Sequence, residues 1–449
     1  MEPAVQCHYL ANWRPLRSAF IVMLTLLVSP MFKRTFLLAA AASVAFSLTS
    51  HSSAEESEAY LDAIAPFAIA ECDRYAIHPA DPTLPKGEIG VVDVRSVRDT
   101  AISACELARR AAPGDPRIAW QLARAMDSGS GDDAVTDEVR SLLVEAAEGG
   151  VALAAHELGN YHLSGTRLPK DDDRALKWLT VAADKGLSCS QYALGNMYDD
   201  GTGVARDPAK AAALYRLAAE QGLRLAQNNL AAMLIDGHGV QKDEAEAVRL
   251  YRAAAEQGYP LAQKNLGALY LEGRGVPQND ALALDLFERA AAGGDPWGQY
   301  LAGFMHLNGR GTDPDPKRAV ELFHLASARG IVPATRELGY AYHDGYGAQQ
   351  NDRLAGMFWS QAAEQGDASS QYNLGVLHEN RRGGLNSAYE ARQLYEKAAE
   401  QGLADAQVAL ARLLMDGDAS SDDLDRAEDL LEAAADAGHE RAKAMLDEM

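Results

Sequence analysis

Nine side chains suited to anchoring protein contacts occupy related positions in the chain. Several are separated by multiples of 36 residues, as are Tyr300 and Arg336, or Phe304 and Tyr340. Aromatic rings and guanidinium groups bury large surfaces while keeping a hydrogen-bonding atom, so they dominate protein–protein binding energies. Packing between helices is the alternative role for several of them. The candidate binding residues are Tyr192, Asn196, Trp297, Tyr300, Phe304, Arg336, Tyr340, His343 and Tyr372.

Motifs for catalysis are missing from the sequence. It contains no G-x-S-x-G nucleophile turn, no G-x-x-x-x-G-K-[S/T] phosphate loop and no serine followed three residues later by lysine. It also lacks H-E-x-x-H and C-x-x-C, so we predict a non-enzymatic protein with no metal site and no cofactor. Because carboxylates could still converge in the fold, an envelope hydrolase acting on peptidoglycan or a β-lactam is one alternative. A purely architectural spacer is another.

Glycine and alanine recur at fixed positions along the chain, and we call each set of such equivalent positions a column. These columns define the elements that must position the candidate residues. One glycine recurs every 36 residues, and an alanine recurs four residues before each of these glycines. A fixed period of this length indicates an array of one stacked supersecondary unit. The glycines are Gly150, Gly186, Gly222, Gly258, Gly294, Gly330, Gly366, Gly402 and Gly438.

Each repeat has the pattern of two helices joined by a tight turn. The first half carries apolar residues at helical spacing and ends at glycines, as in Gly201-Thr202-Gly203. The second half begins at a column of good N-caps that runs from Asp171 to Asp423, carries one large apolar residue, and ends at the periodic glycine. A single hairpin cannot bury its apolar face alone. We therefore predict an all-α, right-handed α-solenoid of stacked helix-turn-helix repeats.

The period also divides the chain into segments. We predict a signal-peptide region at 1–54, an N-terminal helical cap at 55–114, nine repeats at 115–438 with the first degenerate, and a C-terminal capping helix at 439–449. Lys33 and Arg34 precede a short apolar core, and small residues end at Ala54, which is typical of a secretory signal. Met31 is an alternative start. We therefore expect a periplasmic or secreted protein with no membrane-spanning segment after cleavage.

Net charge and cysteine content indicate which classes of partner the protein can bind. The net charge of −22 argues against nucleic-acid binding, which needs clustered lysine and arginine. In an exported protein, the pair Cys72 and Cys105 before the array predicts a disulfide, with two buried thiols as the alternative. We expect a protein or peptide partner in the envelope. Neither the partner's identity nor the oligomeric state follows from these features.

The repeat columns resemble the Sel-one-like repeat (SLR) family, relatives of the tetratricopeptide repeats. Residues 226–240 match the first half of the family pattern, and A-A-E-Q-G ends at Gly222, Gly258, Gly366 and Gly402. The sequence departs from the pattern at Ala348, where valine is usual, and in the turn Asn380-Arg381-Arg382-Gly383.

The resemblance implies a scaffold or adaptor, with regulation of an envelope sensor or assembly as one such role. In the related tetratricopeptide arrays, the first helix of each pair lines a concave groove. Carried over, this would place the nine candidate residues on the groove wall, with the aromatic and arginine residues between Trp297 and His343 forming one cluster.

Overall fold

A computed structural model describes residues 61, 64–73, 98–128, 134–416 and 420–449. The predicted signal region and the degenerate turn at 129–133 lie outside the described residues. The predicted segment boundaries at 54, 114 and 438 stay predictions. The chain divides into two compact units, with the boundary between Leu223 and Arg224.

The described part of the first unit contains eight helices, and no strand occurs in it. Helix α1 covers residues 64–73. The others are α2 (Arg98–Ala111), α3 (Pro116–Asp127), α4 (Asp137–Glu148), α5 (Ala152–Ser164), α6 (Asp172–Asp184), α7 (Ser188–Asp200) and α8 (Pro208–Glu220). From α2 to α8, each helix packs against the next in the chain.

The second unit continues the same alternation, again without a strand in its described residues. Its helices are α9 (Arg224–Asp236), α10 (Glu244–Glu256), α11 (Pro260–Glu272), α12 (Asp280–Ala292), α13 (Pro296–Asn308), α14 (Pro316–Ser327), α15 (Val332–Asp344), α16 (Asp352–Glu364), α17 (Ala368–Glu379), α18 (Ala388–Glu400), α19 (Ala404–Leu414), α20 (Ser421–Asp436) and α21 (Glu440–Glu448). We call the odd-numbered helices α5 to α19 the A helices and the even-numbered helices α6 to α20 the B helices. The predicted all-α stack of helix pairs is confirmed.

The columns of small residues are explained by close packing inside each pair. All nine periodic alanines are fully buried. A Cβ added at Gly195 of α7 would lie 2.7 Å from the ring of Tyr215 in α8, and one at Gly303 would lie 2.8 Å from the ring of Phe323. The A-helix glycine therefore leaves room for the large side chain of the following B helix. That side chain is buried in all eight pairs, from Leu179 to Leu431.

Helix ends follow the sequence pattern with one correction. The side chains of Asp171, Asp207 and Asp243 accept hydrogen bonds from backbone N–H groups of the first turn, as N-caps do. Asp423 was predicted as the last member of this column, and that prediction is wrong. Ser420 caps α20 instead, and Asp423 completes a capping box from the third helical position.

A column of glutamines, which the sequence analysis missed, ties several A helices to the preceding B helix. The Nε2 atoms of Gln263 and Gln371 donate to the carbonyl oxygens of Ala255 and Ala363, each at 3.2 Å. The Oε1 of Gln371 in turn accepts from Nε2 of Gln401 at 2.8 Å. These bonds satisfy a polar side chain inside the stack, where an unpaired amide would be costly.

Substitution of Gly339 tests the glycine–ring packing. A Cβ at this position would lie 2.1 Å from Nε1 of Trp359. Overpacking outweighs the better helix propensity of alanine, so we expect Gly339→Ala to lower the free energy of unfolding by about 1–2 kcal/mol. Urea unfolding of Gly339→Ala, Trp359→Leu and the double variant measures the coupling. The last repeat already pairs an alanine, Ala411, with a leucine, Leu431. The double variant should therefore recover part of the unfolding free energy lost in the single variants. Purely additive changes in unfolding free energy would contradict this packing.

Arg381 adopts a backbone conformation that glycine holds in the other turns. Its φ is +56°, and Gly309 and Gly345 at the equivalent positions have φ of +65° and +73°. A side chain in this left-handed region costs about 1–2 kcal/mol. We expect Arg381→Gly to raise the free energy of unfolding by about 1 kcal/mol, because the strain relieved exceeds the added unfolded-state entropy. Thermal unfolding measures it, with Gly345→Ala as the reciprocal control that should destabilise. An unchanged or lower stability of Arg381→Gly would contradict the strain.

Candidate protein-binding surface

Three aromatic residues line one face of α13. Trp297, Tyr300 and Phe304 follow one another at separations of three and four residues, which places them on the same side of a helix. The ring centroids of Trp297 and Tyr300 are 5.9 Å apart, and those of Tyr300 and Phe304 are 6.3 Å apart. Trp297 is 45% exposed and Phe304 is 38% exposed. Solvent-exposed rings of this size offer apolar area that a partner could cover.

Tyr300 is the inner member of this group. It is half-buried, and its ring packs 6.0 Å from that of the buried Phe323. Burial raises the pKa of its hydroxyl, and the nearby charge of Glu337 adds to the effect. Arg336, which precedes Glu337 on α15, opposes this rise in the pKa of Tyr300.

Two side chains on α15 reach across to α17. The Nη1 of Arg336 donates to Oδ2 of Asp367 at 2.9 Å, and the hydroxyl oxygen of Tyr340 accepts from Nδ2 of Asn373 at 2.8 Å. Asp367 also caps α17 by accepting from the backbone N–H of Ser370. These bonds fix the orientation of the arginine and the tyrosine, so both are held ready for contact with little further loss of entropy.

His343 packs on the ring of Trp359, as Tyr340 does. Its Nδ1 lies 2.9 Å from Oδ1 of Asp352 at the start of α16, and its ring packs 5.3 Å from that of Trp359. The sequence placed it with Tyr340 because the two are three residues apart on one helix. The contact with Asp352 links the imidazole to the start of α16.

The remaining candidates pack mainly on their own repeats. Tyr372 lies 5.7 Å from the ring of Tyr395, and Tyr192 lies 5.8 Å from the ring of Tyr215, both with an interplanar angle of 39°. Asn196 accepts a hydrogen bond from the hydroxyl of Tyr215 at 2.6 Å. Tyr192 and Asn196 belong to the first unit, and the other seven residues belong to the second. The binding role of all nine residues stays a prediction.

Three polar partners of the cluster were missed by the sequence reasoning. Glu337 and Asn373 occupy the column that directly follows the one containing Arg336 and Tyr372, and Asp367 precedes α17. This column also holds Asn229 and Asn265, and the Nδ2 of Asn265 donates to Oδ1 of Asn228 at 3.1 Å. The amides and carboxylates that recur in this column were the sequence feature from which these partners could have been predicted.

In the first unit, a second group of polar residues surrounds Glu157 on α5. Burial raises the pKa of Glu157 to about 7, against the opposing effect of Arg124, and Asp127 raises it further. The indole of Trp120 and the guanidinium of Arg167 also face this carboxyl. Arg167 itself binds both carboxylate oxygens of Asp127, at 2.6 and 2.5 Å.

The neighbouring His156 is held as the neutral imidazole. Its Nδ1 lies 2.8 Å from the hydroxyl of Ser190, and its Nε2 lies 2.9 Å from Nδ2 of Asn160. Because an amide nitrogen only donates, Nε2 must accept, so Nδ1 carries the proton and donates to Ser190. Burial lowers the pKa of His156 to about 4, which agrees with this assignment.

These shifts predict the pH dependence of stability. A carboxyl whose pKa is raised on folding stabilises the fold while protonated, so the Glu157 contribution is full below about pH 4.5 and is lost as the pH rises through about 7. His156 acts oppositely, because its contribution to stability is lost as the pH falls from 6.5 through about 4.

We expect the fall in unfolding free energy between pH 6.5 and pH 8 to be smaller in Glu157→Gln than in the wild type. Urea unfolding measures it, with the exposed Glu148→Gln as control. An unaltered fall in Glu157→Gln would contradict the assignment.

Cys72 of α1 and Cys105 of α2 lie next to each other. Their Sγ atoms are 2.07 Å apart, and both residues are fully buried. The disulfide predicted from the sequence is therefore geometrically feasible.

The described residues contain no helix long and apolar enough to cross a membrane. They also contain no group of three or more histidine, cysteine, aspartate or glutamate side chains arranged to hold a metal ion.

The architecture defines the class of the protein. Repeated pairs of antiparallel helices of near-constant length, each packed on the next, are the structure of an α-solenoid repeat protein. Proteins of this class present helix faces as extended binding surfaces.

Comparison with known proteins gives the family. The Sel1 repeat model matches eight segments of the chain, at 152–187, 190–223, 224–259, 260–295, 298–331, 332–367, 368–403 and 404–439. The chain therefore belongs to the Sel1 repeat family, as the SLR resemblance implied. Membership fits a protein-binding scaffold or adaptor.

Two solved structures support this assignment. The chain is similar to c5321, a protective antigen present in uropathogenic Escherichia coli strains that displays an SLR fold. The identity is 30% and the TM-score 0.70, over 77% of this chain and 73% of that one. It is also similar to a Sel1 repeat protein from Oxalobacter formigenes. There the identity is 28% and the TM-score 0.53, over 69% and 89% of the two chains. No curated protein matched the chain.

Proposed function

We propose that this protein is an exported adaptor that binds a protein or peptide on the A-helix face of α13, α15 and α17. We call this surface the aromatic face and define it by Trp297, Tyr300, Phe304, Arg336 and Tyr340. The binding is non-catalytic, and its role is to hold or regulate a partner in the cell envelope.

The observation that carries the proposal is the combination of exposed rings with fixed polar groups. Trp297 and Phe304 remain partly exposed beside Tyr300, while Arg336 and Tyr340 are oriented by Asp367 and Asn373. Binding hot spots have this composition, and orienting the side chains in advance lowers the entropy lost on binding. The frame columns of glycine and alanine hardly vary, whereas the residues of the aromatic face differ between repeats. Variation on a fixed frame is expected of a surface that recognises one partner.

Export is supported by separate features. The basic start at Lys33 and Arg34 and the apolar core after it have the composition of a secretory signal. A disulfide between Cys72 and Cys105 would persist in an oxidising compartment. The similar Escherichia coli chain is described as a protective antigen, which is compatible with a location outside the cytoplasm.

Affinity capture from an envelope extract tests the proposal. We expect the wild-type chain to retain a specific partner and Tyr300→Ala and Tyr340→Ala to weaken its binding by about 30-fold, since a hot-spot truncation costs about 2 kcal/mol or more. Tyr389→Ala is the matched control, because Tyr389 is 70% exposed but lies on α18, outside the aromatic face. The affinity for the recovered partner would be measured with purified proteins after thermal unfolding shows that each variant is folded.

Two outcomes would contradict the proposal. Equal affinity of the wild type and both aromatic-face variants would show that the anchors lie elsewhere. Failure of the wild type to retain any partner in repeated captures would favour an architectural spacer.

A further inference from the structure

The turn of the repeat 367–402 holds an arginine at a position where the backbone favours glycine. The equivalent residues in the preceding repeats are glycines with left-handed φ values, as at Gly273 and Gly345. Arg381 has the same conformation with φ of +56° and is the one non-glycine residue with positive φ in the described part of the chain. A strained residue of this kind often marks a functional position.

The side chain of Arg381 makes no contact that would explain the strain. It is exposed, and within the described residues its guanidinium has neither a hydrogen bond nor an ion pair. The same is true of Arg353, the second residue of α16. Neither arginine therefore stabilises the repeat stack through its charge.

These two arginines share one surface with a third. A Cβ added at Gly383 would lie 3.2 Å from the backbone nitrogen of Arg353, so the turn rests directly on the start of α16. Between them, the Nε of Arg382 donates to Oδ2 of Asp352 at 2.7 Å. We call Arg353, Arg381 and Arg382 the arginine patch.

Two carboxylates next to the patch in the chain are engaged by other side chains. Asp352 is shared between Arg382 and His343, and Glu379 at the end of α17 binds Arg412 and the hydroxyl of Tyr395. Asp344 is exposed at the neighbouring turn. The sequence in that turn, from Gly345 to Gln350, carries no charge.

We propose that the arginine patch binds a short acidic segment of a partner protein. Guanidinium groups bind carboxylates through paired, charge-assisted hydrogen bonds, and two of the three guanidinium groups here are unoccupied. A chain of net charge −22 repels extended anionic surfaces such as nucleic acids or anionic membranes. A short segment meets only the local positive field, because charges beyond about 8 Å are screened at physiological ionic strength. The inference does not rest on the aromatic face, since it concerns the turn edge of the repeats.

Binding of a fluorescein-labelled, aspartate-rich peptide to the purified full chain tests the patch. We expect Arg381→Gly to weaken binding by about tenfold and to raise the melting temperature, so a loss of binding could not come from unfolding. Arg381→Asn, which tolerates the left-handed conformation but lacks the charge, should weaken binding to the same extent. Arg353→Ala should do likewise. Arg329→Ala removes an exposed arginine from another repeat and should leave binding unchanged.

Specificity controls separate the possible occupants. A serine-rich peptide of equal length and phosphatidylglycerol vesicles should not bind, and added salt should weaken binding of the acidic peptide. The proposal is overturned if the acidic peptide binds wild type and Arg381→Gly equally. Arg381-dependent binding of the vesicles, or Arg381-dependent self-association of the chain, in place of peptide binding would overturn it as well. None of these outcomes depends on capture of a partner by the aromatic face.

Discussion

The fold depends on one steric relation, the fit of a B-helix side chain against an A-helix glycine. Gly303 with Phe323 and Gly375 with Tyr395 are two instances, and in each a single added carbon would collide with the ring. Glycine inside a helix costs about 1 kcal/mol relative to alanine. Burying a complete aromatic ring against the neighbouring helix outweighs that cost. The same relation recurs in six of the eight pairs, whereas Ala231 and Ala411 replace the glycine in the other two.

Polar groups then couple successive repeats. Buried glutamines such as Gln371 bridge one repeat to the next. The column of donors that contains Gln401 holds Arg329 opposite Gln299 and Ala437 opposite Gln407. The Oε1 atoms of Gln299 and Gln407 have no hydrogen-bond partner in the described residues. Turn arginines add a second link. Arg274 binds Glu244 and Arg310 binds Asp280, each at 3.0 Å, across thirty positions of the chain. Thus the stack is specified by directional bonds as well as by apolar burial.

The periodicity of the sequence was sufficient to predict the helices and their stacking. It was insufficient to predict which side chains contact each other on the surface. Helix ends could be predicted because caps such as Asp207 and glycines such as Gly201 act within a few residues of chain. The capping error at Asp423 arose because α20 begins at Ser421 and not at Leu424, where the fixed register would have started it. The hydrogen bond of His343 to Asp352 was not predicted, because Asp352 lies on another helix and a column of one helix carries no information about such a contact. Asp367 and Asn373 were missed in the same way.

A rigid frame that presents a variable face is the central claim of this account. Hydrogen–deuterium exchange of the purified chain tests it most directly, because exchange reports the free energy of local opening. Amides in α13, α15 and α17 should be as strongly protected as those in α14 and α16, since each pair is locked by the same packing. If the A helices instead exchanged orders of magnitude faster than the B helices, the binding face would not be held by the glycine–ring fit, and the claim would be wrong.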